Sequence, residues 1–144
     1  DWEWTTPVNL GPPVNGTSAE TFPVLTADAL NLVFVSKRSG AERLYESRRK
    51  SADGPFDPPV EVSFQPGFRQ GGPWLSGDGL TLLFSAQDGD KRGIYETRRT
   101  DRGAAWGEPV RLGPDVNALG NEFNPNVSAD GRTLVFASDR AGWL

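Results

Sequence analysis

The chain has 144 residues, a length typical of one domain, and its 17 glycines and 12 prolines indicate many turns. It contains neither histidine nor cysteine, which excludes Ser-His-Asp and Cys-His catalytic groups and zinc sites built from these residues. A formal net charge of -4 argues against nucleic acid or an anionic membrane as partner, and no apolar run reaches the roughly 20 residues of a membrane span.

The first element in chain order occurs three times and carries a proline in every copy. The copies are WTTPVNL (4–10), FDPPVEV (56–62) and WGEPVRL (106–112). Proline cannot donate to a strand ladder, so it belongs on an unpaired edge. We therefore predict an outer strand, whose leading aromatic residue packs between sheets. These aromatic residues are Trp4, Phe56 and Trp106.

Two further elements follow as one block that also occurs three times without gaps. The copies are ETFPVLTADALNLVFVSKR (20–38), QGGPWLSGDGLTLLFSAQD (70–88) and EFNPNVSADGRTLVFASDR (122–140). The first half predicts an inner strand that ends in a tight turn, where an aspartate accepts hydrogen bonds from the following backbone. These turn aspartates are Asp28, Asp78 and Asp130. The second half is an apolar run, as expected of a strand covered on both faces.

The fourth element occurs only twice, as LYESRRK (44–50) and IYETRRT (94–100). It mixes aliphatic and aromatic residues with charge, so part of it meets solvent. Its glutamate stands two residues before an arginine on the same strand face, which favours local charge pairing. The third repeat has no copy of this element, so the strand count is one short.

Four short strands in each repeat of about 50 residues are typical of β-propeller blades. We predict an all-β fold of about three four-stranded antiparallel blades forming a partial propeller, with no substantial helix. The predicted units are the outer strand of a preceding blade (1–12), two blades (13–63 and 64–112) and an incomplete blade (113–144). Such a piece cannot close into a ring alone, and its open blade edges favour self-association.

The pattern Pro-x-x-Ser-x-Asp-Gly-x-x-Leu-x-Phe-x-Ser-x-Arg, which starts at Pro125 and ends at Arg140, resembles the TolB-type, WD-repeat-like propeller family. The resemblance covers almost the whole chain, with two departures. Ala29 replaces the turn glycine, at a cost of about 1 kcal/mol if its φ is positive, and Asp88 replaces the arginine found as Arg38 and Arg140. The family implies closed rings of six or more blades, so we expect either that two copies of this chain pair into a six-bladed ring or that the chain is part of something longer.

Six residues are candidates for ligand binding at the mouth of a propeller channel. They are Glu20, Gln70, Glu122, Trp74, Arg38 and Arg140. The first three share one repeat position, so they form either a ring of acceptors for a cation or cationic peptide end, or bonds to the backbone of a neighbouring blade. The arginines either clamp a ligand carboxylate or hold the loop after the apolar strand through carbonyls or Asp139. Trp74 breaks the repeat, as Trp2 and Trp143 do, which makes it a candidate for ligand stacking.

The function predicted first is a non-catalytic module for protein-protein or peptide interaction. The resemblance implies that it belongs to a larger bacterial envelope or secreted protein, periplasmic or secreted. We predict no catalytic residue, no cofactor and no metal, because the turn aspartates are too dispersed to surround one ion. The alternative is the propeller portion of a hydrolase. It would be a sialidase-like glycosidase that uses Glu20 and Glu122, or the gating domain of a serine peptidase whose triad lies elsewhere.

Overall fold

The computed structural model describes residues 3–64, 69–118 and 120–141, and these residues form β-strands and turns without any helix. The strands are β1 (Glu20–Leu25), β2 (Asn31–Ser36), β3 (Arg43–Arg48), β4 (Val60–Glu61), β5 (Arg69–Leu75), β6 (Thr81–Asp88), β7 (Lys91–Arg98), β8 (Val110–Arg111), β9 (Glu122–Val127) and β10 (Leu134–Ser138). The all-β prediction is therefore confirmed. In the described part of the chain, no helix is long and apolar enough to cross a membrane.

The strands form three antiparallel sheets, and strands that follow each other in the sequence lie side by side in each sheet. The first sheet has the order β1-β2-β3-β4, the second β5-β6-β7-β8, and the third pairs β10 with β9. Each sheet falls within one of the predicted units. The outer strands β4 and β8 are two residues long and begin directly after Pro59 and Pro109, as expected when proline limits pairing to an edge.

The predicted outer strand at residues 4–10 is not formed. Residues 3–10 have no strand assignment, and Trp4 is 89% exposed instead of packed between sheets. A strand needs a neighbouring ladder to satisfy its backbone, and the described residues place none beside this segment. The same motif does form an outer strand in the first two sheets, so the missing neighbour explains the difference. Trp2 and Trp143 lie outside the described residues.

The main core lies between the first and second sheets. It contains Val33, Val35 and Leu44 of the first sheet and Phe84 and Tyr95 of the second, all at most 5% exposed. The other face of the first sheet carries a smaller buried cluster of five residues. These are Val14, Leu32, Phe34, Tyr45 and Phe56. Every residue of β2 is buried, which confirms for the first repeat that the apolar run is covered on both faces, whereas β10 of the third repeat is largely exposed.

The turn that follows each inner strand is built around the predicted aspartate. In the first sheet, Asp28 Oδ1 accepts hydrogen bonds from the Thr26 hydroxyl at 2.7 Å and the Leu30 N–H at 3.1 Å. Asp78 and Asp130 accept the same pair of bonds in their own repeats. The described residues contain no group of three or more acidic side chains placed to hold a metal ion. The hydrogen bonds that the three aspartates accept confirm their turn role.

Candidate functional site

Each inner strand contains a β-bulge with one residue in the left-handed conformation. The residues share one repeat position: Phe22 (φ 52°), Gly72 (φ 51°) and Asn124 (φ 49°). Glycine and asparagine tolerate this conformation, whereas a bulky aromatic residue there is strained. The bulge is not among the features predicted from the sequence, although glycine and asparagine at the same repeat position are the signal that indicates it.

The strained Phe22 is also exposed. The residue is 51% exposed, and Leu25 at the end of the same strand is 48% exposed; we call these two exposed residues the apolar ledge of β1. At the second sheet a side chain would not fit, since a Cβ on Gly72 would lie 2.9 Å from Asn124 Cα of the third sheet. Backbone outliers of this kind cluster at functional sites, where the surrounding structure maintains the strain.

Glu20 and Glu122 each belong to a Glu-Ser-Arg cluster within their own repeat. Glu20 Oε1 accepts a hydrogen bond from the Ser36 hydroxyl at 2.9 Å and lies 3.4 Å from the Arg38 guanidinium. Glu122 Oε1 repeats this arrangement with the third-repeat serine at 3.2 Å and Arg140 at 3.1 Å. The glutamate and serine face each other across the strand pair, because the register places them opposite.

The two arginines hold the loop that precedes the inner strand. Arg38 donates to the Val14 carbonyl at 2.6 Å, and Arg140 donates to the Val116 carbonyl at 2.5 Å. Each guanidinium also lies over the phenylalanine of its own apolar strand, 5.3 Å and 5.1 Å from the ring centroids. This is the carbonyl-holding role named as one of the two alternatives, although the loop held is the one before the inner strand.

The middle repeat replaces the whole cluster. Gln70, Ala86 and Asp88 stand where the other repeats have glutamate, serine and arginine. Without a cation or a hydroxyl as partner, the Gln70 side chain turns to the first sheet, where its Oε1 accepts a hydrogen bond from the Leu44 N–H at 3.0 Å. The arginine departure noted in the sequence is therefore one part of a concerted replacement.

The predicted ring of acceptors at a channel mouth does not fit this geometry. Gln70 is 1% exposed and Glu122 is fully buried, so neither offers a surface to a ligand. Bonding to a neighbouring sheet's backbone describes Gln70, whereas Glu20 and Glu122 bond within their own repeats. Trp74 is half-buried on β5, opposite Leu83, and its role in ligand stacking stays a prediction.

A buried ionic network, which is not among the features predicted from the sequence, joins the first and second sheets. The Arg99 side chain is 0% exposed, lies 2.8 Å from Glu46 Oε1, and stacks on Trp106 at 4.1 Å. Glu46 also accepts a hydrogen bond from Asn31 Nδ2 at 2.6 Å. Burial lowers the pKa of Arg99, and the Glu46 carboxylate opposes that shift.

This network borders a cavity of about 530 Å³ between the outer strands of the first sheet and the loop before Trp106. The predicted local pairs are present nearby, with Arg48 3.2 Å from Glu46 and Arg98 2.6 Å from Glu96. The arginine that follows each pair points inward instead. In the second sheet the doublet therefore divides into an exposed Arg98 and a buried Arg99, whereas Arg48 and Arg49 of the first sheet are both half-buried.

Among the solved structures that the chain resembles is the crystal structure of TolB from Acinetobacter baumannii, with a TM-score of 0.62 and 22% identity. The match covers 87% of this chain and 28% of that one. No protein-family model matches the sequence, and no curated protein matches it. The likeness supports a TolB-like, propeller-type β fold.

Proposed function

We propose that this chain forms part of a non-catalytic β-propeller module that binds a protein or a peptide. We propose further that it belongs to a larger bacterial envelope or secreted protein, in the periplasm or outside the cell. The fold likeness to TolB supports the propeller arrangement. Fold alone does not give function, so the binding role rests on the surface of the inner strand.

The observation that carries the proposal is the exposed, strained Phe22. An aromatic residue in the left-handed conformation of a bulge destabilises the fold. Because Phe22 is half exposed, its burial offsets little of that cost. Exposed aromatic residues beside other apolar groups are typical anchors of protein interfaces. Phe22 and Leu25 provide such a ledge, and Trp74 occupies the inner strand of the second sheet.

The glycosidase alternative receives no support from the carboxylates that it needs. Glu122 is fully buried, and its Oε1 is bonded to Ser138 and Arg140. Glu20 is bonded in the same way within its own repeat. A catalytic acid must touch the scissile bond of the substrate, which a buried carboxylate cannot do.

The test is a selection of peptides from a random displayed library on the 144-residue chain, followed by affinity measurements on two variants. Phe22→Asn removes the ring and keeps a residue that tolerates positive φ, so we expect binding to fall at least about tenfold. The matched control is Val110→Asn, which alters an exposed residue of the outer strand β8. Its affinity should equal that of the unchanged chain.

The stability of the Phe22→Asn variant separates a binding role from a structural one. Relief of strain and loss of ring contacts oppose each other, so the free energy of unfolding should stay within about 1 kcal/mol. Peptides that bind Phe22→Asn as well as the unchanged chain would refute the role of this ledge. A library that yields no binder would refute the binding module itself.

A further inference from the structure

Strand β10 has a neighbour on one side only. Its counterparts β2 and β6 each lie between two strands, whereas among the described residues β10 pairs with β9 alone. The effect is visible at one repeat position, where Val135 is 63% exposed while Val33 and Leu83 are 0% and 5% exposed. β10 therefore presents an open edge that can bind another strand.

Backbone groups of Leu134 and Phe136 form this edge. The Ser128 N–H donates to the Thr133 carbonyl, so Thr133 directs its backbone groups toward β9. Backbone groups alternate in direction along a strand, so Leu134 and Phe136 direct theirs to the open side. An added antiparallel strand would find alternating donors and acceptors there.

The complete sheets show which side chain fits opposite Phe136. Its counterpart Phe34 faces Tyr45 across the strand pair with ring centroids 6.1 Å apart, and the second sheet repeats this pairing at the same separation. The Arg38 guanidinium lies over both rings, 5.3 Å and 4.9 Å from their centroids. In the third repeat Arg140 already lies over Phe136 at 5.1 Å. A tyrosine added opposite Phe136 would meet both groups.

The residues after this tyrosine are also shared between the complete sheets, in LYESRR (44–49) and IYETRR (94–99). Arg99, the second arginine, donates through Nε to the carbonyl of the turn residue Gly79 at 2.8 Å. The first sheet repeats this contact at the same distance. The third repeat has the Gly131 carbonyl at the position of the Gly79 carbonyl. The turn beside β10 therefore offers the same hydrogen-bond acceptor to such an arginine.

The segment 4–10 carries the outer-strand motif, which is complementary to a strand with this tyrosine-containing pattern. Its copies pair with β3 and β7, the two strands that carry this pattern. Leu10 is 51% exposed, whereas its counterpart Val62 is 5% exposed. Residues 4–10 form no strand, so this segment offers an added peptide no ladder of backbone groups, whereas β10 does.

We propose that β10 binds, by antiparallel strand addition, an extended segment of the pattern Leu/Ile-Tyr-Glu-Ser/Thr-Arg-Arg. Backbone hydrogen bonds to Leu134 and Phe136 hold the segment, and its tyrosine packs against Phe136 and Arg140. The competing occupant is a second copy of this chain that pairs through its own β10. That strand has the sequence LVFAS and no tyrosine, so it leaves the ring site unfilled.

The probe is a fluorescent peptide of residues 91–100, KRGIYETRRT, added to the 144-residue chain. We expect one peptide to bind per chain by fluorescence anisotropy, with slowed hydrogen exchange at the Leu134 and Phe136 N–H groups. Replacement of the peptide's tyrosine by alanine should weaken binding at least about tenfold.

Two N-methylated peptides give a matched comparison. In the second sheet the Ile94 N–H donates to Asn117 Oδ1 at 2.7 Å, so it points away from β6, and the Tyr95 N–H points toward it. N-methylation at the tyrosine should weaken binding to β10 at least about tenfold, whereas at the isoleucine it should change the affinity by less than about threefold. Equal affinities of the two peptides, or protection that arises outside β10, would overturn the proposal. A dimer in light scattering that the peptide does not displace would overturn it too.

Discussion

The second and third sheets carry the same sequence motif in different surroundings. In the second sheet, Phe84 is 0% exposed and Leu83 is 5% exposed, because β6 lies between two strands and its sheet packs on the first. In the third, the counterpart Phe136 is half-buried and Val135 is 63% exposed. Both strands nevertheless have the same pairing with their inner strand and the same turn. The motif therefore specifies the hairpin, while neighbouring strands determine burial.

The largest expected effect is at the two phenylalanines. Phe84→Ala should lower the free energy of unfolding by about 3–5 kcal/mol, because the ring leaves a cavity in a core that collapses only partly. Phe136→Ala should cost below about 2 kcal/mol, because solvent already reaches its ring. Urea unfolding followed by tryptophan fluorescence measures both. Equal losses would show that the third sheet is as well packed as the second.

The strand order and the turns could be predicted because local chemistry determines them. The proline of the outer strand and the aspartate of the turn act within a few residues of themselves, and both were placed correctly. The fate of residues 4–10 could not be predicted in this way. It depends on whether a partner strand is present, and the motif WTTPVNL is the same type in either case.

The second prediction exchanges the inner-strand residue between repeats. Gln70→Glu buries a carboxylate in the second sheet, where Ala86 supplies no hydroxyl and no arginine follows at residue 88. An unpaired buried charge should cost about 2–4 kcal/mol at neutral pH. Glu122→Gln in the third sheet should cost less, since Ser138 still donates to an amide oxygen. Denaturant unfolding of both variants measures the difference.

A rescue variant distinguishes charge from shape. Adding Ala86→Ser and Asp88→Arg to Gln70→Glu rebuilds the Glu-Ser-Arg cluster of the other two repeats. We expect it to recover at least half of the lost free energy of unfolding. No recovery would mean that the bond from Leu44 N–H to Gln70, rather than the absent cation, determines the residue at this position.

The candidate site was less predictable than the fold. Glu20, Gln70 and Glu122 share a repeat position, and that periodicity predicts either convergence on one mouth or bonds to a neighbouring blade's backbone. The buried Gln70 bonds to the backbone of the first sheet and the buried Glu122 bonds within its own repeat, so structural contacts account for both residues. The exposed residue is Phe22. At its repeat position the other two repeats have Gly72 and Asn124, which tolerate the left-handed conformation.

A smaller effect is expected at the turn position after the aspartate. Ala29 has a φ of 58°, while its counterpart Gly131 has a φ of 72° with open space around it. Ala29→Gly should raise the free energy of unfolding by about 0.5–1 kcal/mol, and Gly131→Ala should lower it by about 1 kcal/mol. Thermal unfolding of the two variants checks this. Changes of the same sign would show that conformational strain does not govern these turns.

The smallest expected effect concerns the acid titration of the two exposed turn aspartates. The Thr26 hydroxyl, the Arg102 guanidinium and the Leu30 N–H lower the pKa of Asp28 to about 2. The pKa of Asp130 is lowered by the Ser128 hydroxyl and a backbone N–H. Because both carboxylates have a pKa below the unfolded value of about 3.9, their stabilisation is full above that pH and is lost as pH falls through the folded pKa.

Replacement of Arg102 distinguishes the Asp28 turn from the Asp130 turn, because Arg102 lowers the pKa of Asp28 alone of these two. Its guanidinium lies 2.5 Å from Asp28 and also donates to the Asp78 carbonyl at 2.7 Å, so it ties the turns of the first and second sheets together. Arg102→Ala should raise the pKa of Asp28 and leave that of Asp130 unchanged, as measured by carboxyl NMR titration. The stability that Asp28 contributes should then be smaller, and its loss on acidification should be complete at a higher pH. An unchanged pKa of Asp28 would mean that the Thr26 hydroxyl and the Leu30 N–H, rather than Arg102, lower this pKa.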